Sequence, residues 1–100
     1  MAILWIAEFK GLGVQHAAGQ AISRQCLQYP PERESTLEFG ALPAVSAPFL
    51  SETRVVALAA NRPFHLRYGG EEATEHNFRF EKGALIGVES GAVISVVEAE

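Results

Sequence analysis

Aspartate is missing from this chain: all twelve of its acidic residues are glutamates. That excludes the motifs that depend on aspartate, such as EF-hand loops and aspartyl dyads. Cysteine is almost as scarce. Cys26 stands alone, so no intrachain disulfide can form, which fits a reducing compartment. Basic residues are few and dispersed. Six arginines and two lysines, no two adjacent, leave a formal charge of −4. A phosphate-binding surface rests on clustered Lys and Arg, so a nucleic-acid partner is not expected. Long apolar runs are absent too. No stretch approaches the roughly 20 residues of a membrane helix. The opening Met1–Ala7 is apolar but runs into Glu8 and Lys10. With neither a basic n-region nor a long h-region, it predicts no signal peptide, and no membrane partner is expected.

Chemistry-bearing motifs are equally thin. No Gly-x-Ser-x-Gly nucleophile elbow occurs, and Ser90, between Glu89 and Gly91, reads as turn chemistry. Gly11-Leu12-Gly13 resembles the start of a phosphate loop but lacks its later residues, and reads as a bend. His16, His65 and His76 fit no zinc template, and Cys26 offers a lone sulfur. Glu71, Glu72, Glu75 and Glu81 fall on one loop and the turn after the next strand. Two carboxylates that flank a sugar need facing walls of a cleft. The residues therefore predict no catalytic group, no cofactor and no metal.

What the chain does have is alternation. From Arg54 to Val97, apolar and polar residues trade places in short runs closed by Gly, Pro, Asn or Glu. A period of two places alternate side chains on opposite faces of a strand. The runs Arg54–Ala60, Phe64–Tyr68, His76–Phe80, Ala84–Val88 and Ala92–Val97 read as strands separated by turns. Phe64, Tyr68, Phe78 and Phe80 fall on inward positions. His65 falls on the polar face, and Gly69–Glu75 reads as a solvated loop. At 48% hydrophobic, one hundred residues suffice for a core, so 1–100 is expected to be a single β domain.

The first half is less regular. Ala2–Phe9 reads as a strand with Ile3, Trp5, Ala7 and Phe9 on one face and Leu4 and Ile6 on the other. A strand apolar on both faces is an aggregation hazard unless paired, so residues 1–10 are expected to make subunit contacts. Gln15–Leu27 is ambiguous: Ala18, Ile22 and Cys26 fall at helical spacing, but Gly19 weakens a helix and no good N-cap precedes it, so extended or irregular backbone is favoured with a short helix as the alternative. Tyr29–Ser35 reads as a loop and Thr36–Phe39 as a short strand. Ala41–Glu52, with Pro43 and Pro48, reads as a crossover loop (41–52) pinned by Phe49. Short strands at this spacing predict an all-β fold, an antiparallel β-sandwich or small jelly-roll-like barrel. Because aromatics are enriched in contact surfaces, Trp5 and Tyr29 are the two to watch for exposure. With Ile3, Leu4 and Ile6 they form the candidate interface set.

Taken in order, the segments LWIAEFKGLG, SAPFLSETRVVALAANRPFHLRYG and FEKGALIGVESGAVISVV resemble a family of small β-rich virion proteins of tailed bacteriophages and prophages. The likeness covers most of the chain and is strongest from Ser46 to Val97. It departs in the acidic loop Gly70–Glu75 and at His65 and Arg67. The resemblance implies a non-enzymatic structural component of the phage particle, in first place a capsid decoration (cement) protein. A neck or tail accessory protein, or a carbohydrate-binding module of a host-recognition apparatus, are the alternatives. It further implies that the partners are other copies of the chain and particle proteins (capsid, portal or neck, tail). Its station would be the virion, after assembly in the host bacterial cytoplasm.

Overall fold

The computed structural model describes residues 2–16, 23–27 and 30–99. Their architecture is all-β. Ten strands follow one another: β1 (Ala2–Phe9), β2 (Leu12–His16), β3 (Ser23–Leu27), β4 (Arg33–Phe39), β5 (Ala44–Val45), β6 (Val55–Ala60), β7 (Phe64–Tyr68), β8 (Phe78–Phe80), β9 (Gly83–Gly87) and β10 (Ile94–Glu98). Eight of them form two four-stranded antiparallel sheets, sheet I in the order β4-β1-β6-β9 and sheet II in the order β5-β10-β7-β8. The two inner faces enclose one core of Leu4, Ile6, Phe39, Phe49, Val56, Leu58, Phe64, Ile94 and Val96. The expected antiparallel sandwich is therefore what forms. Phe64, fully buried, meets Phe39 edge-on at 6.1 Å and stacks on Phe80 at 5.5 Å.

The connectivity is that of a jelly roll with its closing strand moved to the front. Counting from β4, the sandwich strands run β4, β5, β6, β7, β8, β9, β10 and then β1. In that count the sheets read 1-8-3-6 and 2-7-4-5, the interleaved double Greek key of a jelly roll. The two chain ends meet where such a ring would be joined. Ala2 lies opposite Phe39, and Glu98 N–H donates to Gly40 O at 2.9 Å.

Side-chain alternation on β1 resolves in favour of Leu4, Ile6 and Glu8 pointing inward, opposite Leu37, Ser35 and Arg33 of β4 and Ala60, Leu58 and Val56 of β6. The 41–52 connection carries β5 and is laced to the last strand. Ser46 N–H donates to Ile94 O, Ile94 N–H donates to Ser46 Oγ, and Phe49 N–H donates to Ala92 O. The turn before β10 closes by Ala92 N–H donating to Glu89 O at 3.1 Å. Gly91 takes the left-handed φ of +71° that the third position of a type II turn requires.

The structure corrects several local expectations. β4 begins at Arg33, so the loop expected to reach Ser35 is shorter, because Ser35, Glu34 and Arg33 complete the ladder to Ile6, Ala7 and Glu8. His76 lies in a turn, with β8 starting only at Phe78. In 15–27, by contrast, the described residues 15–16 and 23–27 are extended, as favoured over a short helix; residues 17–22 lie outside the described set. Tyr68 and Phe78, expected in the core, are 46% and 73% exposed. They stand at the end of the β7–β8 ladder, whose last rung is Leu66 with Phe78, where the sheet gives way to the 69–77 loop. That loop is not wholly solvated either: Ala73 is buried, and its N–H donates to Ser95 Oγ on sheet II.

Candidate contact surface

Beyond the sandwich, β2 and β3 make a two-stranded sheet of their own. Its rungs run from Leu12–Leu27 to His16–Ser23. They prolong the β1–β4 ladder, whose last rung is Glu8–Arg33. The ribbon is an arm: the molecule measures 50 × 27 × 22 Å with a radius of gyration of 14.8 Å, against about 13 Å for a compact chain of this length.

The arm's root is held by a buried carboxylate. Glu8 is fully buried. Its Oε2 accepts from Arg33 Nε at 2.5 Å, and its Oε1 accepts from Leu50 N–H at 2.8 Å and from Thr53 Oγ at 2.9 Å. Arg33 also donates to Pro48 O at 2.9 Å. One side chain thus ties the end of β1, the start of β4 and the 48–53 segment together, and all its bonds are charge-assisted. On the surface above, Lys10 pairs with Glu52 at 3.4 Å and Glu32 at 3.7 Å. The hydrogen bond to Glu52, aided by the charge of Glu32, raises the Lys10 ammonium above its ordinary value of 10.5.

The outer face of sheet I is the second element. Ladder register sets Trp5 between Thr36 and Ala59, Ala7 between Glu34 and Ala57, and Ala57 beside Leu85. Alanines flanking a large ring leave a shallow apolar depression of about 310 Å³, bordered by Trp5, Ala7, Ala57, Ala59 and the Glu34 rim. Trp5 is 46% and Leu85 59% exposed. An uncovered tryptophan beside small residues, with glutamates only along one border, is the composition of a contact surface's centre and rim.

A larger hollow of about 530 Å³ lies on sheet II, between Ala41–Pro43, the Ala73–Glu75 loop and the Val97–Glu98 end of β10. His65 borders it, while Arg67 and His76 do not. The His65 ring Nδ1 is 2.9 Å from Asn77 O and donates to it in the neutral ring, which leaves Nε2 as acceptor. The Thr74 hydroxyl is turned to its own loop, accepting from His76 N–H at 3.2 Å. The hollow therefore offers an imidazole and the carboxylates of Glu75 and Glu98 without a nucleophile set on them. Arg67 pairs instead with Glu71. Among the described residues no three His, Cys or Glu side chains gather as a metal site. No helix among them is long and apolar enough to cross a membrane.

The candidate interface residues divide. Trp5 is exposed and Ile3 half-buried beside it on the outer face. Leu4 and Ile6 belong to the core, at 0% and 4% exposure, so they cannot meet a partner directly. Tyr29 lies outside the described residues. Sequence reasoning passed over Leu85, Ala57 and Ala59; their signal was position, odd-numbered neighbours of Trp5 across the sheet, which only the register reveals. Comparison with family models, with curated proteins and with solved structures returns no match.

Proposed function

We propose that this chain is a non-enzymatic structural component of a tailed-phage particle, in first place a capsid decoration protein, present in many copies and acting through surface contacts. The observation that carries this reading is the uncovered Trp5–Ala57–Leu85 face of sheet I, set beside a rooted arm that belongs to neither sheet. A stable contact covers about 800 Å² per partner, roughly one-eighth of the chain's 6306 Å² surface. Repetition on a symmetric shell then supplies avidity, so no single contact has to be strong. A neck or tail station uses the same surfaces and differs only in copy number.

Purified particles provide the test. Mass spectrometry is expected to find the chain in fixed stoichiometry to the shell protein, high for a decoration protein and low for a neck or tail component. Trp5→Ala is expected to weaken its retention on particles at least tenfold, as loss of an aromatic anchor does. Absence of the chain from particles would end this reading.

A carbohydrate-binding role is favoured by a different observation. Tyr68 and Phe78 are exposed at the two ends of the loop that carries Glu71, Glu72 and Glu75. Rings beside carboxylates suit sugar stacking. Titration with surface oligosaccharides of the host, monitored by tyrosine fluorescence, should saturate under this reading and be abolished in Tyr68→Ala.

A further inference from the structure

We propose that the arm of one copy docks on the open edge of β9 in the next, so that β2 and β3 extend sheet I and join copies head to tail. This deepens the reading that the chain works in repeated copies by naming the two surfaces that meet.

The sandwich has four edge strands. β4 carries Arg33, Glu34 and Glu38, β5 is two residues long, and β8 is three residues long around Arg79. Short length and charge are the devices that keep an edge from pairing. β9 has neither. Gly83-Ala84-Leu85-Ile86-Gly87 holds no charge and no proline, and Leu85 is 59% exposed. Val88 N–H donates to Arg54 O at 2.9 Å, and Ala60 N–H donates to Lys82 O at 2.7 Å. By alternation of an antiparallel ladder, the even-numbered residues bond to β6. Gly83, Leu85 and Gly87 therefore turn their backbone groups to the open side.

The arm is the complementary half. A two-stranded ribbon is marginal in water, and a third strand is what makes such a unit stable. Segment 9–31 contains Lys10 and Arg24 and no carboxylate; β9 is flanked by Lys82 and by Glu81, which pairs with Arg79, on one side and by Glu89 on the other, so no excess of positive charge stands against the arm. The arm's own β9 is out of reach. The ladders place Phe9 opposite Val55, and Val55 opposite Gly87, so β6 stands between the strand that feeds the arm and β9, and β2 and β3 pair only with each other. To meet that edge it would have to fold back across β6. The acceptor therefore belongs to a second copy. Two different patches meet, so the contact is heterologous and propagates into a ring or a row, pairing main chain to main chain as in strand addition.

The test is sedimentation of the full chain and three variants. In one, residues 12–27 are replaced by two glycines, leaving the Glu8–Arg33 root intact. The second, Leu85→Pro, removes an N–H on the open side without touching the β6 ladder. The third, Leu85→Lys, charges the edge and guards against misfolding of the proline variant. The parent chain is expected to form oligomers at micromolar concentration. The armless and proline variants are expected to sediment as monomers, and Leu85→Lys to weaken association at least tenfold. Mixing the armless variant, which keeps an edge, with Leu85→Pro, which keeps an arm, is expected to give a one-to-one dimer that grows no further. Oligomers that persist in the armless variant or in both Leu85 variants would overturn this docking while leaving self-assembly through another surface. A monomeric parent chain would overturn it too, and retention of that chain on particles would show that the decoration reading survives without it.

Discussion

Replacing Glu8 probes the best-defined polar structure in the molecule. In Glu8→Ala the Leu50 amide, the Thr53 hydroxyl and the Arg33 guanidinium lose their common acceptor. The three losses are unequal. Thr53 is fully buried, and a buried donor left without a partner costs about 1–3 kcal/mol. Leu50 is 36% exposed, so its amide has a route to water. The Arg33 side chain keeps 35% of its surface in solvent and retains Pro48 O, so it rehydrates in part. Breaking a buried ion pair from one side costs about 3–5 kcal/mol, and Arg33's partial exposure selects the lower end, about 3 kcal/mol. For a domain of this length each kcal/mol moves Tm by about 4–8 °C, so a fall of roughly 12–24 °C is expected.

Urea titration followed by far-UV circular dichroism measures this directly. Glu8→Gln separates charge from hydrogen bonding. Its amide oxygen can still serve Leu50 and Thr53, but its NH2 then faces the Arg33 N–H, donor to donor. A loss of about 1.5–3 kcal/mol, the worth of a hydrogen bond to a charged group, is expected. The double replacement Glu8→Leu with Arg33→Met should recover part of the cost of either single change, with a coupling of at least about 0.5 kcal/mol. If Glu8→Ala unfolds within about 0.5 kcal/mol of the parent, the range of an ordinary surface change, then the clasp contributes nothing and the argument for a rigid arm root falls with it.

Gly83→Ala sets a new Cβ at 2.2 Å from the Leu58 carbonyl oxygen, whereas at Gly87 the nearest atom is Arg54 O at 3.9 Å. Denaturant midpoints should therefore show a loss of about 1–3 kcal/mol from overpacking for the first and little for the second; equal effects would refute the packing argument. Phe64→Ala empties a fully buried site between Phe39 and Phe80 and should cost about 3–5 kcal/mol in the same assay. The raised Lys10 value means that its bound proton favours the folded state. That contribution is complete below the unfolded value near 10.5 and is lost as pH rises through the higher folded value. Lys10→Met should thus flatten the alkaline decline in stability, and an unchanged stability–pH profile would show that the pairing is not felt.

The sandwich was legible wherever one face is buried and the other wet. Phe64 with His65, and Leu66 with Arg67, declare their strand because core and solvent take alternate residues. β1 could not be oriented that way, since Ile3 and Trp5 on one face are as apolar as Leu4 and Ile6 on the other. The residue that decides it is Glu8, and a charge reads as outward. It points inward because Arg33, Leu50 and Thr53 complete its hydrogen bonds, and those groups are distant in sequence. Tyr68 and Phe78 failed for another reason. Alternation says which way a side chain points, not whether the opposite sheet reaches far enough to cover it. The pairing of 12–16 with 23–27 was not legible, because those segments show little alternation and their sheet is separate from the two of the sandwich.

Moving the jelly roll's closing strand to the front of the chain has a mechanical consequence. β1 is not an edge: it is paired to β4 on one side and β6 on the other along nearly its full length. A chain that leaves such a strand and returns into β4 is anchored on both legs in the same sheet, and Glu8 then locks both legs to the 48–53 segment. In the ordinary order this strand would follow β10, and its outgoing end would be the end of the chain, not the start of a connection to β4. A strain applied at the arm is therefore passed into the centre of sheet I, whose far edge is β9. If that edge holds the next arm, each link of a row pulls through one continuous set of backbone hydrogen bonds, β4 to β1 to β6 to β9, and the hydrophobic core is not in the path. Such a row resists tension along its own length without requiring strong side-chain contacts at any one junction.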